Sequence, residues 1–224
     1  MARTDSAERA RLSREAVVDG ALALAGADGM DALTIRRLAQ HLGVTPMALY
    51  WHFKNKDELL AGMADRLWSL VDSAVDPGLS WPDQLRSLMG SLVTVLRAHP
   101  AITPLLMSIE AEEMQSCFRT MEAAMAVLDQ AGFSPRQSAD LCTHGLRTAV
   151  GLVTGERDAT DTLDPDLEAH RRRKRIVLES LPLDRYPHVI AGAQALTSCD
   201  DPDAYYDFGI ELFIAGVVAL AARS

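Results

Sequence analysis

The sequence predicts an all-α protein in two parts, an N-terminal three-helix domain containing a helix-turn-helix and a C-terminal helical domain. Three observations predict it. Apolar residues recur at helical spacing along the chain, with no convincing alternating run of the kind a half-buried strand shows. Helix-starting and helix-stopping residues punctuate that pattern. Between Leu33 and Lys56, two short helices are hinged by one glycine and followed by an aromatic and basic cluster.

Thr34 is a good N-cap, and Ile35, Leu38, Ala39 and Leu42 share one face, which predicts a helix over 35–42. Gly43 ends it, because glycine enters the left-handed conformation cheaply, and Thr45-Pro46 restarts the chain as an N-cap and a first-turn proline. The second helix runs from Pro46 to His52. Ala39 allows close approach, Val44 and Leu49 supply the apolar underside, and the spacing from Ala39 to Gly43 is that of a helix-turn-helix. Its leading edge offers Pro46, Met47, Ala48 and Trp51, groups suited to thymine methyls in a major groove. Arg36 and Arg37 serve either guanine recognition or phosphate anchoring, while Tyr50, His52, Lys54 and Lys56 are donors for flanking phosphates.

Asn55 and Glu58 form a capping-box-like start for a helix carrying Leu59, Leu60, Met63, Leu67 and Leu70 to about Ser73. The Asp76-Pro77-Gly78 turn closes this connector. Ser80-Trp81-Pro82 opens the next helix, with Leu85, Leu88, Met89, Leu92, Val95 and Leu96 on its apolar side, and His99-Pro100 ends it. A short segment with Leu105, Leu106 and Ile109 follows, then a helix near Glu110–Ala131 stopped by Gly132. Ser134-Pro135-x-Gln137 starts another, bearing Cys142, Leu146, Val150 and Val153, and a polar loop is expected from Gly155 to Asp166. The run HRRRKR, His170 to Arg175, follows several acidic residues and reads as a self-screened loop entering a helix, not a second DNA site. From Tyr205 to Ala222 the chain is apolar nearly all round, unlike any surface helix. Either one body buries it or two copies pair it. The expected division is 1–56 head, 57–75 connecting helix and 76–224 body.

Of 224 residues, 48% are hydrophobic and 24% charged, a globular balance. Residues 1–56 hold eight Lys/Arg against six Asp/Glu, net +2, and residues 57–224 fourteen against twenty-five, net −11, together the stated −9. The basic end is the one suited to phosphates, and the acidic body would repel them. Cys117, Cys142 and Cys199 are odd in number and lack metal spacing, so reduced core thiols are expected, without metal or cofactor. No uncharged apolar run reaches the roughly 20 residues that span a bilayer, and the charged start lacks a signal-peptide pattern. A cytoplasmic protein with no membrane partner is expected.

The block from Leu12 to Leu67 resembles the N-terminal domain of the tetracycline-repressor (TetR) family: LSREAVVDGALALA as first helix, then DGMDALTIRRLAQHLGV, then TPMALYWHFKNKDELL. LYWHFKNKDELL is the most specific segment, and its YWH triplet is similar to the tetracycline-repressor branch itself. The resemblance implies DNA contacts from Thr34, Arg36, Arg37, Thr45, Pro46, Met47, Ala48, Tyr50, Trp51, His52 and Lys56. It also implies a homodimer, the last helix and the Ser134–Val153 helix pairing in a four-helix bundle, here through Leu146, Val150, Phe208, Leu212, Phe213 and Val217. Such a dimer spaces two reading helices by about 34–36 Å on one duplex face. A repressor of a palindromic operator, released by a small apolar effector, is the function implied.

For that effector, Met89, Leu92, Leu105, Met114, Phe118 and Met121 are candidate pocket residues with His99 and His144 as polar handles, although a methionine stripe also suits plain core. The residues that hold magnesium-tetracycline in the family align with Asp72, Leu105 and Gly155, so a different effector is expected. The alternative function is an enzyme or helical sensor that retains the head. No nucleophile elbow, phosphate loop or zinc-spaced histidine pair in the sequence favours the enzyme.

Overall fold

The computed structural model describes residues 12–109, 114–160, 165–199 and 201–223, and every regular element among them is helical. The head comprises α1 (Arg14–Asp28), α2 (Ile35–His41) and α3 (Pro46–Tyr50). The connector is α4 (Lys56–Leu70), and the body carries α5 (Trp81–Ala98), α6 (Cys117–Gln130), α7 (Pro135–Thr160), α8 (Pro165–Glu179), α9 (Pro187–Ala191) and α10 (Pro202–Ala221). Short 3₁₀ turns at Met30–Ala32 and Thr103–Met107 join neighbours.

The caps explain most boundaries. Ser13 accepts from the Ala16 amide at 3.1 Å to open α1, and Asn55 from Glu58 at 2.8 Å to open α4. At α7, started at Ser134-Pro135 as expected, a capping box forms: the Ser134 amide donates to Gln137 at 2.9 Å, and the Gln137 amide to the Ser134 hydroxyl at 3.4 Å. Asp201 caps α10 through the Ala204 amide at 3.0 Å.

The helices pack as a bundle in which α5, α6, α7 and α10 surround one another, while α4 touches α1 on the head side and α5 and α6 on the body side. One core therefore runs unbroken from Val17 to Val217. Helices α7 and α10 run antiparallel in close contact. A Cβ added at Gly145 would sit 3.3 Å from the Phe213 ring, one at Gly155 would sit 3.2 Å from the Tyr205 hydroxyl, and one at Gly209 would collide with Leu152.

Five expectations are corrected here. The helix begun at Pro46 ends at Tyr50 and not His52, and the connector stops at Leu70 and not Ser73. The helix expected from Glu110 starts at Cys117, Glu110 itself lying outside the described residues. Helix α7 continues to Thr160 where a loop was expected from Gly155, since no proline or turn glycine interrupts its carbonyl ladder there. HRRRKR sits inside α8, where Arg175 pairs with Glu179 at 2.8 Å one turn on, and is not a loop.

Helix α10 is, by length and composition, apolar enough to cross a membrane. Its packing on α5 and α7 and the pairing of Glu211 with Arg86 and Asp203 with Arg97 tie it to the bundle instead.

Candidate nucleic-acid interface and body cavity

The turn between α2 and α3 is built by backbone alone. Gly43 has φ 66°, the Gly43 amide bonds the Gln40 carbonyl at 3.2 Å, and the Val44 amide bonds the Ala39 carbonyl at 2.9 Å. That paired pattern ends α2 and swings α3 across it. Thr34 accepts from the Arg37 amide at 3.2 Å and Thr45 from the Ala48 amide at 3.3 Å, so both threonines are caps whose hydroxyl hydrogens stay available.

Helix α3 is one turn with two contrasting sides. Leu49 is 1% exposed in the core, whereas Met47 is 67% and Trp51 86% exposed. Tyr50, Thr34, Arg36, Arg37, Thr45, Pro46 and Lys56 are exposed beside them, and Ala48 and His52 are half-buried. None of the eleven sequence-predicted contact residues is buried. Lys56 is the first residue of α4. The two arginines separate: Arg37 is held by Asp28 at 2.5 Å, whereas Arg36 forms no ion pair among the described residues.

Arg14, which the sequence reading missed, fixes this surface. Its guanidinium donates to the His52 carbonyl at 2.9 Å and the Glu58 carboxylate at 2.8 Å and lies 4.3 Å from the centre of the Phe53 ring. Glu58 also accepts from the Lys54 amide at 2.8 Å. The Arg14 bond, then the Lys54 amide, hold the Glu58 carboxyl below its usual range. The end of α3 and the start of α4 are thereby tied to α1.

In the body, a cavity of about 360 Å³ lies among α4, α5, α6 and α7. Met89, Leu92, Met114 and Met121 line it as expected. Trp68, Leu85, Cys117, Thr120, Cys142 and Arg147 join them unforeseen, each contributed by a helix turn whose inward direction only packing sets. Burial pushes the Cys142 thiol up to about 11 and also raises Cys117, so both stay protonated.

Four candidate pocket residues are corrected. His99, Leu105, Phe118 and His144 do not line the cavity. His99 caps the end of α5, where partial burial lowers its imidazole below the ordinary value. Leu105 is displaced by its neighbour Leu106, because the 3₁₀ turn rotates the register. Phe118 and His144 lie on the outward faces of α6 and α7. Asp72 and Gly155 are also absent from the lining.

The N-terminal region, residues 17–63, matches the model of bacterial regulatory proteins of the tetR family, and residues 75–221 match the tetracyclin repressor-like C-terminal domain. The chain belongs to the TetR family. The tetracycline repressor protein class D of Escherichia coli is 29% identical over 209 residues, covering 92% of this chain and 89% of that protein. Apo ActR from Streptomyces coelicolor superposes with a TM-score of 0.80 at 26% identity, over 96% of this chain and 98% of the other. ActR in complex with actinorhodin gives 0.78 at 27% identity, over 94% and 98%. This TetR-family chain is accordingly a DNA-binding transcriptional regulator and not an enzyme.

The six residues expected at a TetR-type pairing face divide. Phe208 and Leu212 are 70% and 66% exposed on α10. Val150 and Val217 are instead buried within the single chain, and Leu146 and Phe213 line the cavity. An all-round apolar helix gives no sequence cue to which stripe faces inward.

Proposed function

We propose that this TetR-family regulator is a cytoplasmic repressor that holds a palindromic operator as a homodimer and lets go when a small apolar molecule enters the body cavity. The observation that carries the DNA reading is the outward presentation of Met47, Tyr50 and Trp51 on a turn whose Leu49 is sunk in the core, a pattern folding alone does not reward. Met47 and Ala48 meet thymine methyls, Arg36 reaches a base edge or phosphate, and the hydroxyls of Thr34, Thr45 and Tyr50 with His52 and Lys56 hold backbone phosphates. Arg37, Pro46 and Trp51 complete the face.

Support for the dimer comes from α10, which leaves Phe208 and Leu212 uncovered although it packs on α5 and α7. A second copy would bury that stripe and place two heads on successive turns of one duplex face. Support for effector control comes from α4, which contacts both head and cavity. Trp68 lines the cavity, Asp65 accepts the Ser116 amide at 2.6 Å at the start of α6, and Arg66 pairs with Asp19 of α1 at 2.9 Å. A few kcal/mol of difference between the two head spacings is enough to empty an operator.

Fluorescence anisotropy with palindromic fragments from the neighbourhood of the protein's own gene tests this. A TetR-type repressor binds one fragment roughly a thousandfold better than random duplex, with affinity falling steeply as salt rises. Equal weak binding to all duplexes would overturn it.

A further inference from the structure

Helix α3 has an outward face with a single kind of chemistry. Leu49 is 1% exposed and fixes the inward direction, so the residues two before and two after it, Met47 and Trp51, point the opposite way. They lie four apart and share that face, since Trp51 keeps helical dihedrals (φ −72°, ψ −23°) as the C-cap. Both are largely exposed.

Reading a base edge through hydrogen bonds takes particular side chains: an Asn or Gln amide for adenine, Arg or Lys for guanine, a carboxylate for cytosine. From Val44 to Phe53 the chain contains no Asn, Gln, Asp, Glu, Arg or Lys. Pro46 has no N–H at the first position of α3, and the Thr45 hydroxyl accepts from the Ala48 amide at 3.3 Å. Arg36 belongs to α2, so its guanidinium reaches the duplex from another helix. The thioether of Met47 is a weak acceptor and the indole of Trp51 a donor alone. Neither replaces a bidentate pair. What a flexible, polarisable apolar side chain does distinguish on a major-groove edge is the C5 methyl group of thymine from the bare C5 of cytosine.

We infer that Met47 reads a pyrimidine C5 methyl group in each half-site, and that it senses the methyl group and not which pyrimidine carries it. 5-Methylcytosine then stands in for thymine at that position, and operator affinity responds to cytosine methylation of the DNA. The inference rests on the reading of α3 as the helix that enters the major groove. Thymine pairs with adenine and 5-methylcytosine with guanine, but α3 offers no bidentate group to tell those purines apart.

The palindromic fragment that the protein selects supplies the test, by fluorescence anisotropy at fixed salt. Each thymine is replaced by deoxyuridine, one symmetric pair at a time, which removes a methyl group and leaves every hydrogen-bonding atom in place. One symmetric pair should cost about tenfold in affinity, the product of two methyl contacts worth about three- to fourfold each. Cytosine opposite guanine at that pair should bind no better than uracil, and 5-methylcytosine opposite guanine should recover to within about threefold of thymine. In Met47→Ala, where the replaced side chain is an exposed one, the thymine and uracil fragments should differ by less than about twofold at that pair. Uracil costing less than about twofold at every pair, penalties that Met47→Ala leaves unchanged, or 5-methylcytosine no better than cytosine would each overturn the methyl reading while operator binding stands. Selection of no fragment would remove the DNA reading itself, and this inference with it.

Discussion

Arg14 shows how one side chain can organise a surface it does not belong to. It sits at the start of α1, yet its partners are the backbone at the end of α3, the carboxylate at the start of α4 and the ring of Phe53 between them. Arg14→Ala should lower Tm by about 2–4 °C, as expected for a loss near 1 kcal/mol in a chain of this size. Operator affinity should fall as well, since α3 loses its anchor. The effect carries a pH signature. The Glu58 carboxyl is held below its ordinary 4.5 by Arg14, so its contribution is complete above that value and fades as pH drops through the lower folded one. Thermal melts of both proteins should therefore converge on acidification below about pH 4.5; a gap that persists unchanged in acid would contradict the role given to the Glu58 pair.

Among the elements, two glycines do different work. Gly43 needs its conformation: φ is 66°, and no atom lies within 4 Å of an added Cβ. Gly43→Ala should destabilise by roughly 1 kcal/mol through backbone strain alone. Gly43→Asn should cost less, because asparagine tolerates the left-handed region. Urea unfolding midpoints that rank alanine at or above asparagine would show that the turn is not held as described. Gly209 needs space. A Cβ there meets Leu152 of α7, so Gly209→Ala should cost about 1–3 kcal/mol by overpacking. Adding Leu152→Ala should recover part of that loss, and a purely additive double variant would argue against direct contact.

For the whole molecule, the uncovered stripe on α10 ties assembly to DNA binding. Leu212→Glu leaves the inner face of α10, with Tyr206, Ile210 and Ile214, untouched. It should convert a dimer to monomers at micromolar concentration by sedimentation velocity and weaken operator binding by about a hundredfold or more, as loss of bivalency does. Circular dichroism should stay unchanged. A variant that remains dimeric would move the interface elsewhere. The charge division complements this design, with net +2 over residues 1–56 and −11 over the remainder turning the heads toward phosphate.

The helix-turn-helix and its caps were legible in the sequence because each rests on interactions within a few residues: Thr34 to Arg37, Thr45 to Ala48, Gly43 to Gln40. So was the all-helical class, which follows from apolar spacing. The ends of longer helices were less legible, since α7 runs on through polar sequence with nothing local to stop it. The cavity and the division of the α10 faces depend on contacts between residues far apart in the chain. Trp68 and Met121 become neighbours of one void only through packing, and Val150 and Val217 turn inward while Phe208 and Leu212 turn outward only because α7 and α10 cross where glycine permits. Local hydrogen bonding and periodicity determine which helices form and which residues the head presents. Side-chain volume, met across long loops of chain, decides which of their faces are left open for a ligand or a second copy.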